Sequence, residues 1–257
     1  MQESGSPGIV VERGGAVAVP AVRNGRAALI GTTLVVAALA ALNVLDHYVH
    51  TGGLLIALAA AAALLVFARS QGLTWEQLGL SRSRLRAGAL WGGGAIAVVA
   101  AIYVVGVLLP ATRPAFLDAR YHLPLPGVLM SAFVVIPVGT ILIEEIAFRS
   151  VLWGMLSRHM AAWRVLLTSS VMFGLWHVLP SLHLASANHG VGQAVHAAGA
   201  SANVLAVLAT VAFTALGGVV AGELRRRSGS LLASAGMHWA TNALGVIFGL
   251  VAWKLAG

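Results

Sequence analysis

The sequence contains no cysteine. Disulfides, a cysteine nucleophile, thiolate metal sites and iron–sulfur clusters are thereby excluded. Charge is scarce as well. Asp, Glu, Lys and Arg make up 9% of the 257 residues, where a soluble domain carries about 25%. Hydrophobic residues reach 59% and mean hydropathy is +0.89. An ordinary soluble enzyme is ruled out. So is a disordered chain, which needs low hydrophobicity and much charge. Acidic residues number 8 against 16 Lys and Arg, a net charge of +8. In a soluble protein that excess points to nucleic acid. Here the cations lie between apolar runs, which points to membrane topology and no nucleic-acid partner.

A crossing helix needs roughly 20 mostly apolar residues to span about 30 Å of hydrocarbon. Seven stretches qualify, near 27–45, 52–68, 87–109, 128–148, 161–179, 202–222 and 230–252. The expected fold class is therefore all-α, a polytopic transmembrane helical bundle of about seven spans, with room for an eighth. The first apolar run is longer than the 7–15 residues of a signal peptide, so it is expected to stay as a span. Arginine placement sets an orientation. With the N-terminus in the cytoplasm, that side holds Arg13, Arg23, Arg26, Arg69, Arg82, Arg84, Arg86, Arg149, Arg158, Arg164, Arg225, Arg226 and Arg227. The other side holds only Arg113, Arg120 and Lys254, as the positive-inside rule expects. The stretch Leu73 to Leu85 alternates apolar and charged residues and reads either as a helix on the cytoplasmic surface or as a solvated loop.

Ionisable groups inside spans cost roughly 2.5–3.5 kcal/mol on insertion scales and invite a functional hypothesis. Three places qualify: Glu144-Glu145 with Arg149, His177 after Phe173, and His238 with Asn242. Glu145 and Arg149 are four apart with the acid first, the favourable order for a helical ion pair. Adjacent helical residues point about 100° apart, so Glu144 is left on another face. It either lies at the water interface or, beside a histidine, acts as a general base. A depth argument bears on this choice. If the fourth helix continues to about Arg158 and turns at His159–Met160, Glu144 and His177 are equally far from the turn and lie at similar depth. Such a helix exceeds the hydrocarbon thickness and must protrude or tilt. His238 and Asn242, four apart, share one helical face. Gly218 and Gly222 give the sixth span a small face for close helix contact.

Taken together, Glu144-Glu145-x-x-x-Arg149, Phe173-x-x-x-His177 and His238-x-x-x-Asn242 resemble the three signature motifs of the CPBP family, which groups type II CAAX prenyl proteases with bacteriocin-processing or immunity proteins and is also called the Abi family. The resemblance covers roughly residues 125–245. Residues 1–26 are polar and glycine-rich and are expected to form a disordered cytoplasmic tail; with the resemblance, the rest divides into variable N-terminal transmembrane spans (27–124) and a catalytic transmembrane core (125–257). The resemblance implies intramembrane peptide hydrolysis, in which Glu144 with His177 activates water and His238 with Asn242 holds the oxyanion. Glu145, Arg149 and Phe173 would support the site, and Phe173, Trp176 and Trp239 read as packing or interfacial residues.

Exclusion points the same way. There is no HExxH, no Gly-x-Ser-x-Gly, and the only aspartates are Asp46 and Asp118, near a span end and in a loop. The family is often labelled metalloprotease, and Glu144, His177 and His238 are zinc-ligand types. Asparagine is a poor zinc ligand, so no cofactor is expected, with Zn²⁺ as the alternative. His183, His189 and His196 read as a solvated loop. The expected partners are a peptide or membrane-protein substrate and the lipid bilayer, in an integral, multi-pass cell-membrane protein. Two other readings stay open: a non-catalytic peptide-binding immunity protein of the same fold, and a small transporter or proton relay.

Overall fold

The computed structural model describes residues 25–48, 53–182, 184–198 and 202–256. The expected tail lies outside them apart from Gly25 and Arg26, which open the first helix; Arg13, Arg23 and His183 lie outside as well. The described residues are helical without a named strand. Long helices are α1 (Gly25–Tyr48), α2 (Gly53–Ser70), α3 (Leu85–Leu108), α4 (Leu125–Leu156), α5 (Ala162–Trp176), α6 (Ala202–Ser228) and α7 (Leu231–Ala256). All but α5 are long and apolar enough to cross a bilayer, and the chain is an integral membrane protein.

α4 has 32 residues, about 48 Å at 1.5 Å per residue. It carries the chain well past the hydrocarbon, as the depth argument requires. α5 has 15 residues, shorter than the stretch 161–179 predicts. The apolar composition continues, but the backbone leaves helical geometry at His177 (φ −86°, ψ 2°). There Nδ1 of His177 meets the Phe173 carbonyl at 2.8 Å, and Pro180 follows. Short helices Val178–Ser181, Leu184–Ala187 and His189–Ala198 complete the connection towards α6. His189 packs edge-on against Trp253, and His196 is exposed.

The main apolar core gathers around α4. Phe148, Val151, Leu152 and Met155 are buried against Val35 and Leu39 of α1, Leu64 of α2 and Val165 of α5. Leu73 and Leu78 plug into the same core with no exposed surface. The segment after α2 is therefore a solvent-facing stretch pinned to the core by two leucines, with residues 74–77 and 82–85 exposed. It is a folded turn in which Thr74 N–H donates to Gln77 Oε1 (2.8 Å) and Gln77 N–H donates to Thr74 Oγ1 (3.2 Å). Small residues bring the remaining helices together. Gly218 and Gly222 face Ser170 and Leu166 of α5, and Gly236 of α7 meets Gly92 of α3 backbone to backbone.

Gly174 shows how tight this packing is. A Cβ there would lie 2.7 Å from the Val211 carbonyl oxygen and 2.9 Å from the Ala215 Cβ of α6. Gly174→Ala is expected to push α5 off α6 and cost about 1–3 kcal/mol, the usual range for overpacking. Thermal unfolding in detergent measures this, and an unchanged midpoint would refute the close approach.

The helix ends define two faces. On one, the Arg158 guanidinium donates to the Gln71 carbonyl (2.6 Å) and that of Arg225 to the Gln77 carbonyl (3.0 Å), while Leu231 N–H donates to the Gly79 carbonyl (2.8 Å). This face joins the arginine-bearing ends of α2, α3, α4 and α6. On the other, Asn188 donates to the Ala115 carbonyl (3.0 Å), Arg113 to the Leu255 carbonyl (3.2 Å), and His122 stacks on Trp253 at 4.0 Å.

Candidate active site

α4 widens where the chemistry lies. Glu145–Leu152 is π-helical, and so is Ala240–Leu244 within α7. Such wide turns recur at functional sites because they re-aim side chains that regular helix geometry would place elsewhere. Glu144, Glu145, Arg149 and His238 are all buried, with exposures of 6%, 1%, 2% and 6%. Four polar groups hidden in an apolar bundle must satisfy one another.

They form one chain of contacts. Glu145 Oε1 lies 3.0 Å from His238 Nδ1 and 3.6 Å from Arg149 Nη1. The ion pair four residues apart is thus present, and the sequence spacing gives no hint of the histidine that shares its oxygen. His238 Nε2 then lies 3.4 Å from Glu144 Oε2. The other oxygen of Glu144 accepts a hydrogen bond from the Trp176 indole at 3.0 Å. The Arg149 guanidinium lies over the Phe173 ring at 3.7 Å. Phe173 in turn contacts the rings of His177 (4.7 Å) and His238 (5.7 Å) edge-on. Phe173 is thus a hub for one cation and two imidazoles.

α5 and α4 meet at the expected depth. The direct contact of Glu144 is with Trp176, the neighbour of His177 in sequence. Because a carbonyl only accepts, Nδ1 of His177 carries the hydrogen towards Phe173. Its Nε2 is then left without a hydrogen-bond partner among the described residues. Glu144, Trp176, His177, Thr241 and Asn242 line one cavity of about 1360 Å³, with Tyr103 of α3 on the same wall. Asn242 is exposed to that space, whereas His238 stands behind Glu144. Asn43 of α1 donates to the Trp176 carbonyl (2.9 Å) and helps hold the end of α5.

A zinc ion needs three or four convergent ligands. Among the described residues no group of three or more His, Cys, Asp or Glu is placed to hold a metal ion. His238 turns its nitrogens to two carboxylates and His177 turns one to a carbonyl. No step below runs through a metal.

Trp176 is the site contact that sequence reasoning misses. It reads as an interfacial or packing ring, yet its N–H donates to Oε1 of the buried Glu144 carboxylate. Trp176→Phe keeps the ring and removes the donor. A hydrogen bond to a charged group contributes about 1.5–3 kcal/mol, so activity is expected to fall roughly ten- to hundred-fold. Peptide-cleavage kinetics test this, and a variant with full activity would reduce Trp176 to packing.

Residues 126–244 match the family model described as Type II CAAX prenyl endopeptidase Rce1-like. No curated protein and no solved structure matches the chain. The match starts at the beginning of α4 and ends inside α7, so it takes in every motif residue. Residues 126–244, a little under half of the chain, are thus similar to the type II CAAX prenyl endopeptidases over all three motifs.

Proposed function

We propose that the chain hydrolyses peptide bonds with Glu144 as the general base and without a metal cofactor. The observation that carries this reading is the Glu144 carboxylate itself. It is buried, it borders a peptide-sized cavity, one oxygen is held by Trp176, and Oε2 has no hydrogen-bond partner among the described residues. A water in the cavity beside Glu144 and His177 would give its proton to the carboxylate while its oxygen attacks the substrate carbonyl carbon. The Asn242 carboxamide, open to the same cavity, supplies a donor to the oxyanion. His238 holds Nδ1–H against Glu145, so its Nε2 is fixed towards Glu144 and can share the transferred proton. That proton passes to the leaving nitrogen as the C–N bond breaks, releasing a carboxylic acid and an amine. This gives His238 a proton-sharing place behind Glu144 and leaves the oxyanion contact to Asn242. The N-terminus lies in the cytoplasm in this proposal.

Substrate trapping tests it. The purified Glu144→Gln protein should retain a peptide or membrane-protein segment that mass spectrometry identifies, and the unaltered protein should cleave that segment. Retention without cleavage by the unaltered protein would support a peptide-binding protein instead. Solute or proton flux into vesicles, lost in the same variant, would support a transporter.

A further inference from the structure

We infer that Tyr103 of α3 and Asn43 of α1 are positioning residues of the site: each holds a backbone carbonyl where a helix bearing site residues leaves regular α geometry. Their part in the chemistry rests on the protease reading, whereas the two contacts belong to the fold itself. Both residues lie outside residues 126–244, in spans that the family match does not reach.

The first departure is in α7. Asn242 stands on the π-helical turn Ala240–Leu244. A π turn closes its hydrogen bonds five residues apart instead of four, so the regular ladder does not fix where its side chains point. The Tyr103 hydroxyl donates to the Thr241 carbonyl at 2.7 Å, within that turn and one residue before Asn242. The Thr241 hydroxyl in turn donates to the His238 carbonyl at 3.0 Å. The Tyr103 ring is itself gripped edge-on by Phe116 (5.1 Å) and Phe248 (6.0 Å). A clamped ring is a stiff anchor, and through Thr241 it sets the direction of the Asn242 carboxamide on the cavity wall that Tyr103 shares.

The second departure is at the end of α5. In a continuing helix the Trp176 carbonyl would accept the amide of residue 180, but residue 180 is proline and has no N–H. The next carbonyl along, that of His177, does find its amide, with Ser181 N–H at 3.1 Å. Asn43 fills the gap from α1, its Nδ2 donating to the Trp176 carbonyl at 2.9 Å. Trp176 is the residue whose indole holds Oε1 of Glu144 at 3.0 Å. The Asn43 amide thus fixes the backbone from which that indole reaches the carboxylate. Asn43 acts through Trp176, as Tyr103 acts through Asn242.

The two routes can be separated. Tyr103→Phe deletes one hydroxyl and keeps the ring. Asn43→Leu keeps the volume and removes the donor, with Asn43→Ala as a second variant should the leucine fail to fold. Cleavage of the segment trapped by the Glu144→Gln protein is measured for each variant alone, in the Asn242→Ala background and in the Trp176→Phe background. Each single variant should lower kcat roughly two- to tenfold, the weight of one neutral hydrogen bond, with KM unchanged. Tyr103→Phe should cost nothing further once Asn242 is replaced, yet keep its full factor in the Trp176→Phe protein. Asn43→Leu should do the reverse. Full factors in every background would make both residues general supports of the fold and overturn the proposal. Amide hydrogen exchange read by mass spectrometry involves no catalysis. Exchange should quicken at residues 240–246 in Tyr103→Phe and at residues 176–182 in Asn43→Leu. Unchanged exchange at either segment would overturn that brace, whether or not the protein cleaves peptides. Quickened exchange in a protein that cleaves no peptide would uphold the braces and reject the protease reading alone.

Discussion

Glu144→Gln is expected to lower the rate of peptide cleavage by about 10²–10⁴-fold, the contribution of a positioned general base. The substitution keeps the size and shape of the side chain. Its amide oxygen can still accept from the Trp176 indole, so the end of α5 stays in place. What is lost is the carboxylate's ability to take up a proton. The loss should therefore appear in kcat while KM stays close to its original value. Glu144→Ala should be no worse by more than the packing it removes, because the reaction needs the carboxylate and not its volume. Steady-state cleavage of a trapped peptide measures both. A Glu144→Gln protein retaining more than about a tenth of the activity would assign the base role elsewhere, given the expected range.

The register of the site was legible because helical geometry is regular. α4 runs to Leu156, the turn follows, and Glu144 meets α5 at Trp176, one residue from the position that counting from the turn selects. The pairing of Glu145 with Arg149 followed from their spacing. Spacing within one helix says nothing about which neighbour supplies the next partner. The contacts of His238 with both glutamates depend on how α7 packs against α4, where both helices turn π-helical, and that has no readable period.

Composition misleads where it is followed without the backbone. The stretch 161–179 is apolar enough for a full span, but the His177 ring bonds its own helix and α5 stops. Leu73 and Leu78 flank polar residues and read as one face of a surface helix, yet both are completely buried. Trp176 reads as a lipid-interface ring, and only the three-dimensional structure directs its N–H to Glu144. In each case the local pattern was overridden by the three-dimensional contacts, while Glu144, Glu145, Arg149 and His238 stayed readable because a charged or polar group is costly to bury without a reason.

Glu145→Gln should destabilise the protein more than any other substitution at the site. Its carboxylate faces both Arg149 and His238 with 1% of its surface exposed. Neutralising it leaves the Arg149 guanidinium buried against the Phe173 ring as its main charge-stabilising contact. Removing one partner of a buried ion pair costs about 3–5 kcal/mol, because the remaining charge is desolvated and uncompensated. For a chain of this size that corresponds to a drop in Tm of roughly 6–20 °C. The double variant Glu145→Gln/Arg149→Met removes both charges and should recover most of the lost stability, since a buried pair replaced by neutral groups of similar volume is often tolerated. Activity should not recover with it. His238 would still lack the carboxylate that fixes its Nδ1–H, and its Nε2 would no longer be aimed at Glu144. Thermal unfolding and cleavage rates measured on the single and double variants separate the two roles. If the double variant regained both stability and activity, Glu145 would serve only to neutralise Arg149, and the aiming of His238 would need another cause.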